Sequence, residues 1–287
     1  MHLSVHPTEN VRLRGQDLTT PSAGRSLRIH APRESHDEIL RGGVTSLAQD
    51  LPGPLFFARY NKPDWHLKLT VLGEDTEAPL LRLLDRLRTC GLATGGETVP
   101  YAPDADAHGG PLGTHLAEQV FHHDTRACLA FLGLETRGEL ARSRREISLL
   151  LTERYLDLLG FDREQRVAFH AFSYSWAIER GFWGEEERAI LDRKYATLAA
   201  DLAAVVEAPD SSQLWGGGAA AAVAATLLVA LRPPLQALRK GMDDGRIARD
   251  PVTLAWSLTH LHANRLQIEA HGEAILRYLM HRFHGER

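Results

Sequence analysis

The chain has 287 residues, of which 44% are hydrophobic, so it can bury the core of one large domain or two small ones without disulfides or metal ions. It carries 33 basic and 37 acidic residues, and a formal net charge of −4 excludes a general attraction to nucleic acid or to an anionic membrane. Its two cysteines, Cys90 and Cys128, belong to no Cys-x-x-Cys pair or Cys/His cluster. They indicate small core residues in a reducing compartment.

The N-terminal residues Met1–Asn10 lack the apolar stretch of a signal peptide. The longest apolar run, Ala219–Leu231, is too short to span a bilayer and is typical of a buried helix. We therefore expect a cytoplasmic protein with no membrane partner.

The first third of the chain has the pattern of strands. Leu55–Tyr60 is apolar and aromatic, Asn61–Asp64 has turn chemistry, and Trp65–Leu72 alternates between polar and apolar residues. This predicts a hairpin whose second strand has an apolar face and a polar, partly basic face made of His66, Lys68 and Thr70. Arg25–His30 alternates in the same way and predicts another strand.

A helix is predicted over Glu77–Cys90, with Gly91 as its C-cap, followed by a short strand over Glu97–Tyr101 and a loop over Ala102–Gly113. From Thr114 onward the apolar spacing is helical. The predicted helices are Thr114–Gly133, Arg137–Leu159, Arg163–Arg180, Glu185–Val206, an Ala-rich helix ending at Pro233–Pro234, Leu235–Arg246 and Pro251–Phe283. Pro209–Gly218 reads as a flexible linker that ends in three glycines.

Strands followed by helices predict an α+β fold: a small antiparallel sheet, then a mostly helical part. We expect one domain over residues 1–287, strand-rich over 1–112 and helical over 113–287. No dinucleotide fingerprint, phosphate-binding loop, zinc-protease or nucleophile-elbow motif occurs, so no cofactor is predicted. His122, His123 and Asp124 predict no metal site, because adjacent helical residues point about 100° apart.

Three segments of the chain resemble the C-terminal elimination domain of lantibiotic dehydratases. Phe56–Tyr60 and Trp65–Leu69 are similar to its hairpin, in which an FIRY strand precedes an HLRLR strand. Tyr101–Gly110 is similar to its Y-x-P-E-x-x-R-Y-G-G segment, and the residues that match the motifs after it are Glu118, Phe121, Asp124 and Thr125. Ser257–Leu266 resembles its S-x-x-H-M-x-x-N-R-L helix. In order, these segments cover about residues 55–280.

The resemblance implies an enzyme that acts on a ribosomally made peptide. Elimination members remove the α-proton of a glutamylated Ser or Thr and expel glutamate. The arginines of the HLRLR strand and of the R-Y-G-G segment are expected to bind the glutamyl carboxylates. This chain has Lys68, Thr70 and Ala107 at those arginine positions, and His108 at the motif tyrosine. One ammonium group therefore replaces three guanidinium groups, which argues against glutamate elimination.

A related branch of stand-alone thiopeptide enzymes needs no glutamyl pocket. Its members join two dehydroalanines of a linear peptide in a formal [4+2] aza-cycloaddition, then lose water and the leader peptide to form the central pyridine. The resemblance therefore favours a pyridine synthase with a precursor peptide as its partner, as a monomer or homodimer. A glutamate-eliminating enzyme with rearranged arginines, such as Arg59 or Arg265, and a catalytically silent peptide-binding partner remain the alternatives.

The resemblance implies a site around Ser257, His260 and Asn264, which share one helix face. His260 is the expected general acid/base and Ser257 a proton relay, and Tyr174, within an aromatic stretch, is a third catalytic candidate. The expected substrate-binding residues are Arg59, His66, Lys68, Glu118, Trp176, Asn264 and Arg265. Each of these residues also fits a structural role, as a hydrogen-bonded core residue, a solvated side chain or a packing contact.

Overall fold

The computed structural model of the chain describes residues 23–51, 53–206 and 214–287. Residues Met1–Asn10 and the first half of the predicted linker Pro209–Gly218 lie outside these ranges. The fold is α+β, as predicted.

Four strands form one antiparallel sheet in the order β2-β3-β1-β4. They are β1 (Gly24–His30), β2 (Leu55–Tyr60), β3 (His66–Leu72) and β4 (Gly95–Pro100). The predicted hairpin and the two further predicted strands are confirmed, with β4 beginning two residues before the predicted start. Because β2 stands at one edge of the sheet, its outer backbone groups need partners from elsewhere in the fold.

Ten α-helices are described, all but three of them after the sheet. They are α1 (His36–Ile39), α2 (Thr45–Asp50), α3 (Glu77–Thr89), α4 (Pro111–Thr136), α5 (Arg144–Leu158), α6 (Arg163–Glu179), α7 (Glu185–Val206), α8 (Gly218–Asp243), α9 (Pro251–Arg265) and α10 (Ala270–Gly285). A π-helical turn, Leu40–Val44, joins α1 to α2. This segment was not predicted.

The two faces of the sheet meet different parts of the core. One face carries the alternating apolar residues Leu67, Leu69 and Val71, which pack with α3 and with the segment from α1 to α2. On the opposite face, Phe56 joins the larger core formed by α4, α5, α8 and α9. The polar alternation of β3 therefore does not mark a solvated face: His66 and Thr70 are buried, because the helical part covers this side of the hairpin.

Helix α4 connects these two cores. Leu129 and Leu132 pack against the sheet-side core, whereas Val120, Phe121 and Phe131 belong to the core of the helical part. The predicted break at Gly133 is wrong, because α4 continues to Thr136 and the leucines on either side of this glycine are buried.

Three other predicted helix boundaries are also wrong. The helix predicted from Arg137 begins at Arg144, where Ser143 and Glu146 form a capping box. Pro233 and Pro234 lie inside α8, where the prolyl φ is compatible with a helix and the flanking Leu231 and Leu235 are fully buried. The single helix predicted over Pro251–Phe283 is divided into α9 and α10, with Gln267 in a left-handed conformation between them (φ 61°).

Helix α8 is the one helix among the described residues that is long and apolar enough to cross a membrane. A third of its most apolar 18-residue window is buried in the fold, and Leu227, Leu231 and Leu235 pack in the same core as α4. Length and composition are weak evidence for a membrane span, since the core helix of a soluble protein meets the same criteria.

Candidate functional site

The three segments that carry the sequence resemblance meet at one small cavity of about 90 Å³. Its walls come from the hairpin, from the residue that follows β4, from α4 and from α9. The lining residues are Phe56, Phe57, Ala58, Tyr60, Lys68, Thr70, Tyr101, Phe121, Leu261 and Arg265. Segments about 200 positions apart in the sequence therefore form one candidate site.

Lys68 is the basic residue that the sheet contributes to this cavity. The strand register places it between Ala58 of β2 and Arg28 of β1, and Arg28 forms a salt bridge with Glu97. Burial and the nearby Arg28 lower the pKa of Lys68 below its usual value. One half-buried ammonium group, rather than three guanidinium groups, therefore stands at this wall.

His66 and Thr70 flank Lys68 on the same face of β3. The His66 imidazole stacks on Tyr60, with ring centroids 5.1 Å apart, and is 2.8 Å from the Asp64 carbonyl oxygen through Nδ1. The Thr70 hydroxyl is 2.8 Å from the hydroxyl of Ser26. These contacts fix both side chains, and only Thr70 lines the cavity itself.

Arg59 does not join Lys68, contrary to the expectation from the sequence. In the register of β2 and β3, Ala58 is opposite Lys68 and Arg59 is opposite Leu67, so Arg59 faces the other side of the sheet. There its Nη2 donates to Asp37 Oδ1 at 2.7 Å, and the side chain is 3% exposed. Arg59 is thus a buried ion-pair partner of α1.

Asn264 and Arg265 of α9 satisfy the outer edge of β2. The Asn264 amide accepts from the backbone N–H of Arg59 and donates to the Arg59 carbonyl, both at 2.8 Å. Arg265 donates through Nε to the Phe57 carbonyl at 2.9 Å. Side chains of α9 therefore take the place of a fifth strand. A role for either residue in substrate binding stays a prediction.

Arg265 also belongs to a buried ion network that sequence reasoning missed. Its Nη1 donates to Asp124 Oδ2 at 2.8 Å, and His262 Nδ1–H donates to Asp124 Oδ1 at 2.7 Å. Burial alone would raise the pKa of Asp124, but His262 and Arg265 lower it to about 2. The sequence contained a signal for this network. His262 is two residues after His260, so it points about 200° away around α9, toward the core.

His260 has the geometry of an accessible acid/base. Its Nδ1–H donates to Glu273 Oε2 at 2.7 Å, and its side chain is 37% exposed. Glu273 is itself held by Arg277 at 3.1 Å. Burial raises the pKa of Glu273, but the hydrogen bond from His260 and the charge of Arg277 outweigh this effect and lower it. A carboxylate on Nδ1 leaves Nε2 available to take or give a proton.

Aromatic rings continue outward from His260. The imidazole stacks on Trp256 with centroids 5.0 Å apart and an interplanar angle of 8°, and Trp256 meets Phe172 edge-on. Phe172 is 43% exposed. This surface of His260, Trp256 and Phe172 can stack flat rings of a ligand.

Tyr174 lies elsewhere. Its ring contacts Trp183, Tyr278 and His281, in an aromatic cluster between α6 and α10. Tyr174 is two residues from Phe172, so it points about 200° away from the surface that leads to His260. The structure does not bring these two catalytic candidates together, and a catalytic role for Tyr174 stays a prediction.

The remaining candidates lie in three places. Ser257 is half-buried on α9, one turn before His260. Trp176 is half-buried on α6, where its ring meets the exposed Phe182 edge-on. Glu118 is buried on α4 beside Tyr101, whose pKa is raised by burial and by the Glu118 carboxylate.

Two buried groups of donor atoms among the described residues have the composition of a metal site. In the first, Asp124, Cys128 and His262, the carboxylate is already neutralised by Arg265. In the second, His170 and His284 contact different oxygens of Glu153, and their rings are nearly parallel (14°). The nitrogen lone pairs of the two imidazoles lie in their ring planes, and nearly parallel, stacked planes do not direct both lone pairs at one ion. The geometry therefore favours a Glu153 carboxylate that bridges the two histidines.

A sequence model described as lantibiotic biosynthesis dehydratase C-term matches residues 25–284. No curated protein matches the chain. Solved structures share its fold, and three of them are compared with it by identity and TM-score. They are the tRNA-dependent lantibiotic dehydratase MibB from Microbispora sp. 107891 (22% identity, TM-score 0.66), TsrL (19%, 0.65) and the pyridine synthase TbtD from thiomuracin biosynthesis (16%, 0.63).

These structures differ in how much of their length the shared fold represents. The match includes 97% of this chain but 28% of the MibB chain. For TsrL and TbtD it includes 92% of this chain, and 95% and 98% of theirs. The fold therefore occurs both within a longer dehydratase chain and as nearly the whole of a chain.

Proposed function

Because the chain belongs to the lantibiotic biosynthesis dehydratase C-terminal family, we propose that it matures a ribosomally made peptide by forming a pyridine ring. The substrate is a linear precursor with two dehydroalanines. The reaction is a formal [4+2] aza-cycloaddition, followed by loss of water and of the leader peptide. A peptide with a leader and a modified core is the partner that this proposal requires.

The observation that carries the proposal is the charge at the cavity. The positions that match the family's carboxylate-binding arginines are Lys68, Thr70 and Ala107. Lys68 and Thr70 line the cavity, and Thr70 has its hydroxyl engaged by Ser26. A glutamyl group carries a carboxylate that needs a strong, desolvated partner, and a single half-buried ammonium supplies less than bidentate arginines do.

The alternative of a glutamate eliminase requires other arginines to converge on the same cavity. Arg59 faces the opposite side of the sheet and pairs with Asp37. Arg265 lines the cavity, but its guanidinium is held by Asp124 and by the Phe57 carbonyl. A change of partner by either side chain would break a charge-assisted hydrogen bond that is largely shielded from water. These contacts favour ring formation over glutamate elimination.

His260 is the residue that we assign to proton transfer. The diene forms when a backbone amide loses its N–H proton and gains a proton on oxygen, and His260 Nε2 can accept and return that proton. Two C–C bonds close the ring next, one between the two methylene carbons and one between the iminol carbon and the α-carbon of the second dehydroalanine. The ring nitrogen is already part of the diene. Departure of the iminol oxygen as water and of the leader as a carboxamide then makes the ring aromatic. Glu273 stabilises the charged imidazole at each of these steps.

The two alkenes must also be held face to face, so much of the rate enhancement is expected from positioning. A cavity of about 90 Å³ is smaller than the roughly 300–1,000 Å³ of sites that enclose a small ligand. It therefore takes one small group of the peptide beside Lys68. The flat heterocycles of the core are expected to stack on the surface of Trp256 and Phe172.

The test is to incubate the protein with a linear precursor that contains dehydroalanines and, separately, with a glutamylated precursor. Mass spectrometry is expected to show loss of water plus the leader from the first peptide only. Loss of glutamate from the second peptide would overturn the proposal. Tight binding of both without a mass change would indicate a silent binding partner.

Replacement of the proposed acid/base gives a sharper measurement. His260→Ala is expected to lower kcat about 10²–10⁴-fold, the usual contribution of a positioned proton-transfer group. His271→Ala is the matched control, since His271 is an exposed histidine of α10. Equal rates for the two variants would remove His260 from the mechanism.

A further inference from the structure

A second concave surface lies away from the candidate site, between three helical segments. The π-helical turn and α2 form one wall, the second half of α4 forms the floor, and the first turns of α8 form the other wall. Its volume is about 470 Å³, within the roughly 300–1,000 Å³ range of ligand-binding sites. We call it the α4 groove. Its lining residues are Arg41, Thr45, Ala48, Gln49, Arg126, Leu129, Ala130, Gly133, Leu134, Arg137, Ala219 and Val223.

The charge around the α4 groove has one sign. Three arginines and no acidic residue line it. Arg137 forms a salt bridge with Glu139, whereas no ion pair of Arg41 or Arg126 occurs within the described part of the chain. Arg126 is exposed on α4, so its charge faces solvent and the opening of the groove. Two uncompensated guanidinium groups on one rim attract carboxylates.

The floor of the α4 groove is apolar. Leu129, Ala130 and Leu134 of α4 form it, together with Ala48 and Val223 from the two walls. Gly133 continues this floor without a side chain, and the Arg137 guanidinium lies beside it, 3.4 Å from the position that a Cβ would take. A small free anion needs no such floor. The combination fits a ligand that has apolar side chains on one side and carboxylates on the other.

We propose that the α4 groove binds an acidic, amphipathic segment of the precursor peptide, outside the residues that react. This identification of the peptide rests on the proposed function. The concave shape favours a peptide over a membrane, which requires a flat or convex apolar surface.

The position of the α4 groove relative to the candidate site suits one continuous peptide. Phe121 of the cavity and Ala130 of the groove belong to the same helix, nine residues apart. Nine residues are two and a half turns, so the two sites are roughly 13 Å apart along the helix axis and on opposite sides of α4. An extended peptide needs about four residues for the axial distance and several more to pass around the helix, which is about 10 Å across. A segment held at the groove therefore raises the effective concentration of the reacting part at the cavity.

Binding can be tested without knowledge of the natural precursor. The probe is a fluorescein-labelled peptide of about 16 residues with Glu on one helical face and Leu on the other. The matched probe has Lys in place of Glu. Fluorescence anisotropy is expected to detect the acidic peptide alone, with an affinity that falls as salt is raised.

Variants locate the binding surface. The double variant Arg41→Ala/Arg126→Ala is expected to bind the acidic peptide about tenfold more weakly. Arg239→Ala/Lys240→Ala is the matched control, since it removes the same charge from the far end of α8. Ala130→Trp fills the floor and is expected to block binding without changing the rim. Urea unfolding confirms that each variant is folded.

Several results would overturn the proposal. These are equal binding of acidic and basic peptides, equal losses in the two double variants, and tight binding of vesicles of anionic lipid that the peptide does not displace. Turnover of the linear precursor separates this failure from failure of the proposed function. A wrong groove leaves the precursor's KM unchanged in Arg41→Ala/Arg126→Ala, while His260→Ala still lowers kcat. A wrong function leaves the precursor unconverted by the unaltered protein, whatever the peptides do.

Discussion

At the scale of single residues, two histidines of α9 that are two positions apart have opposite environments. His260 is 37% exposed and is held by Glu273 through Nδ1, with Nε2 available for chemistry. His262 is fully buried, holds Asp124 through Nδ1, and has no partner for Nε2 among the described side chains. His260 is therefore a candidate acid/base on one face of α9, whereas His262 belongs to a core ion network on the other face.

A third histidine, His170, is buried without being charged. Its Nε2–H donates to Glu153 at 2.9 Å, and the Arg166 guanidinium compensates the same carboxylate. Burial lowers the pKa of His170 to about 4, despite the opposing effect of Glu153. The pKa of His36 is also lowered to about 4, by burial and by the nearby charge of Arg59. Both side chains are therefore neutral in the folded protein at neutral pH.

These lowered pKa values predict how stability depends on pH. Between pH 6.5 and about 4 the unfolded chain binds a proton at each of these histidines and the folded chain does not. The free energy of unfolding should therefore fall as pH falls through this window, by on the order of 3 kcal/mol per histidine, and then level off with respect to them. Urea unfolding at several pH values measures the slope.

His170→Gln is expected to reduce that slope by about one proton, because its side chain does not titrate. His115→Gln, a half-buried residue of α4, is the control. If the free energy of unfolding depends on pH equally in the His170 variant and the unaltered protein, the His170 imidazole is not the cause of this dependence. The lowered pKa of Asp124 stabilises the fold at pH values above 3.8, and this contribution is lost as the pH falls from 3.8 toward about 2.

At the scale of elements, α8 shows packing overriding a helix-breaking signal. Pro233 and Pro234 lack the N–H groups that would bond to the carbonyls one turn before them. The helix nevertheless continues to Asp243, because Leu231, Leu235 and Leu238 are fully buried in the core on one face. The fixed prolyl φ is itself helical, so what is lost is hydrogen bonding rather than the backbone path.

Pro233 is exposed, so replacing it should improve the helix. Pro233→Ala restores a donor for the Val229 carbonyl and is expected to raise the free energy of unfolding by roughly 1–2 kcal/mol, after allowance for the greater freedom of the unfolded chain. The urea midpoint measures the change. Pro234→Ala is the matched control, because it also restores a donor but removes buried contacts. A lower midpoint for Pro233→Ala would contradict this account.

The hydrogen bonds between α9 and β2 are a second feature at the scale of elements. An edge strand exposes unpaired backbone groups, and here Asn264 and Arg265 satisfy three of them from a helix about 200 residues later. The helix that carries His260 is thereby fixed to the strand that lines the cavity. The placement of α9 depends on these contacts. Under the proposed function, a misplacement of about 1 Å is expected to cost roughly 10²-fold in rate.

At the scale of the whole molecule, α4 joins the sheet-side core to the core of the helical part, so neither core can be exposed without disturbing this helix. Cys128 lies in α4 and is fully buried, whereas Cys90 is exposed. Burial raises the pKa of the Cys128 thiol well above its usual range, which makes it unreactive in the folded state. These are the two cysteines of the chain.

Thiol labelling therefore reports on the whole fold. In Cys90→Ala, the one remaining thiol is expected to react with Ellman's reagent only as fast as the protein opens, and the rate should rise in parallel with urea unfolding followed by circular dichroism. Cys128→Ala, with only the exposed thiol, is the control and should react at once. Fast labelling of Cys128 under native conditions would show that α4 opens independently of the cores.

Much of the fold could be predicted from local patterns. Period-two alternation identified the strands over Arg25–His30 and Trp65–Leu72, and the glycines at Gly91 and Gly160 ended helices as expected. The break between α9 and α10 could not be predicted, because Gln267 adopts a positive φ without the glycine that usually marks this conformation. The segment from α1 to α2 lacked a signal for a similar reason, since its helix includes two glycines and a π-helical turn.

The sequence by itself determined the α+β order, the resemblance on which the family assignment depended, and the replacement of the motif arginines by Lys68, Thr70 and Ala107. These are properties of local periodicity and of residue identity at matched positions. Only the tertiary structure decided that Arg59 faces Asp37, that Glu273 holds His260 and that α4 has an arginine-rimmed groove. Each of these depends on strand register or on contacts between distant segments, and packing sets both after the local elements have formed.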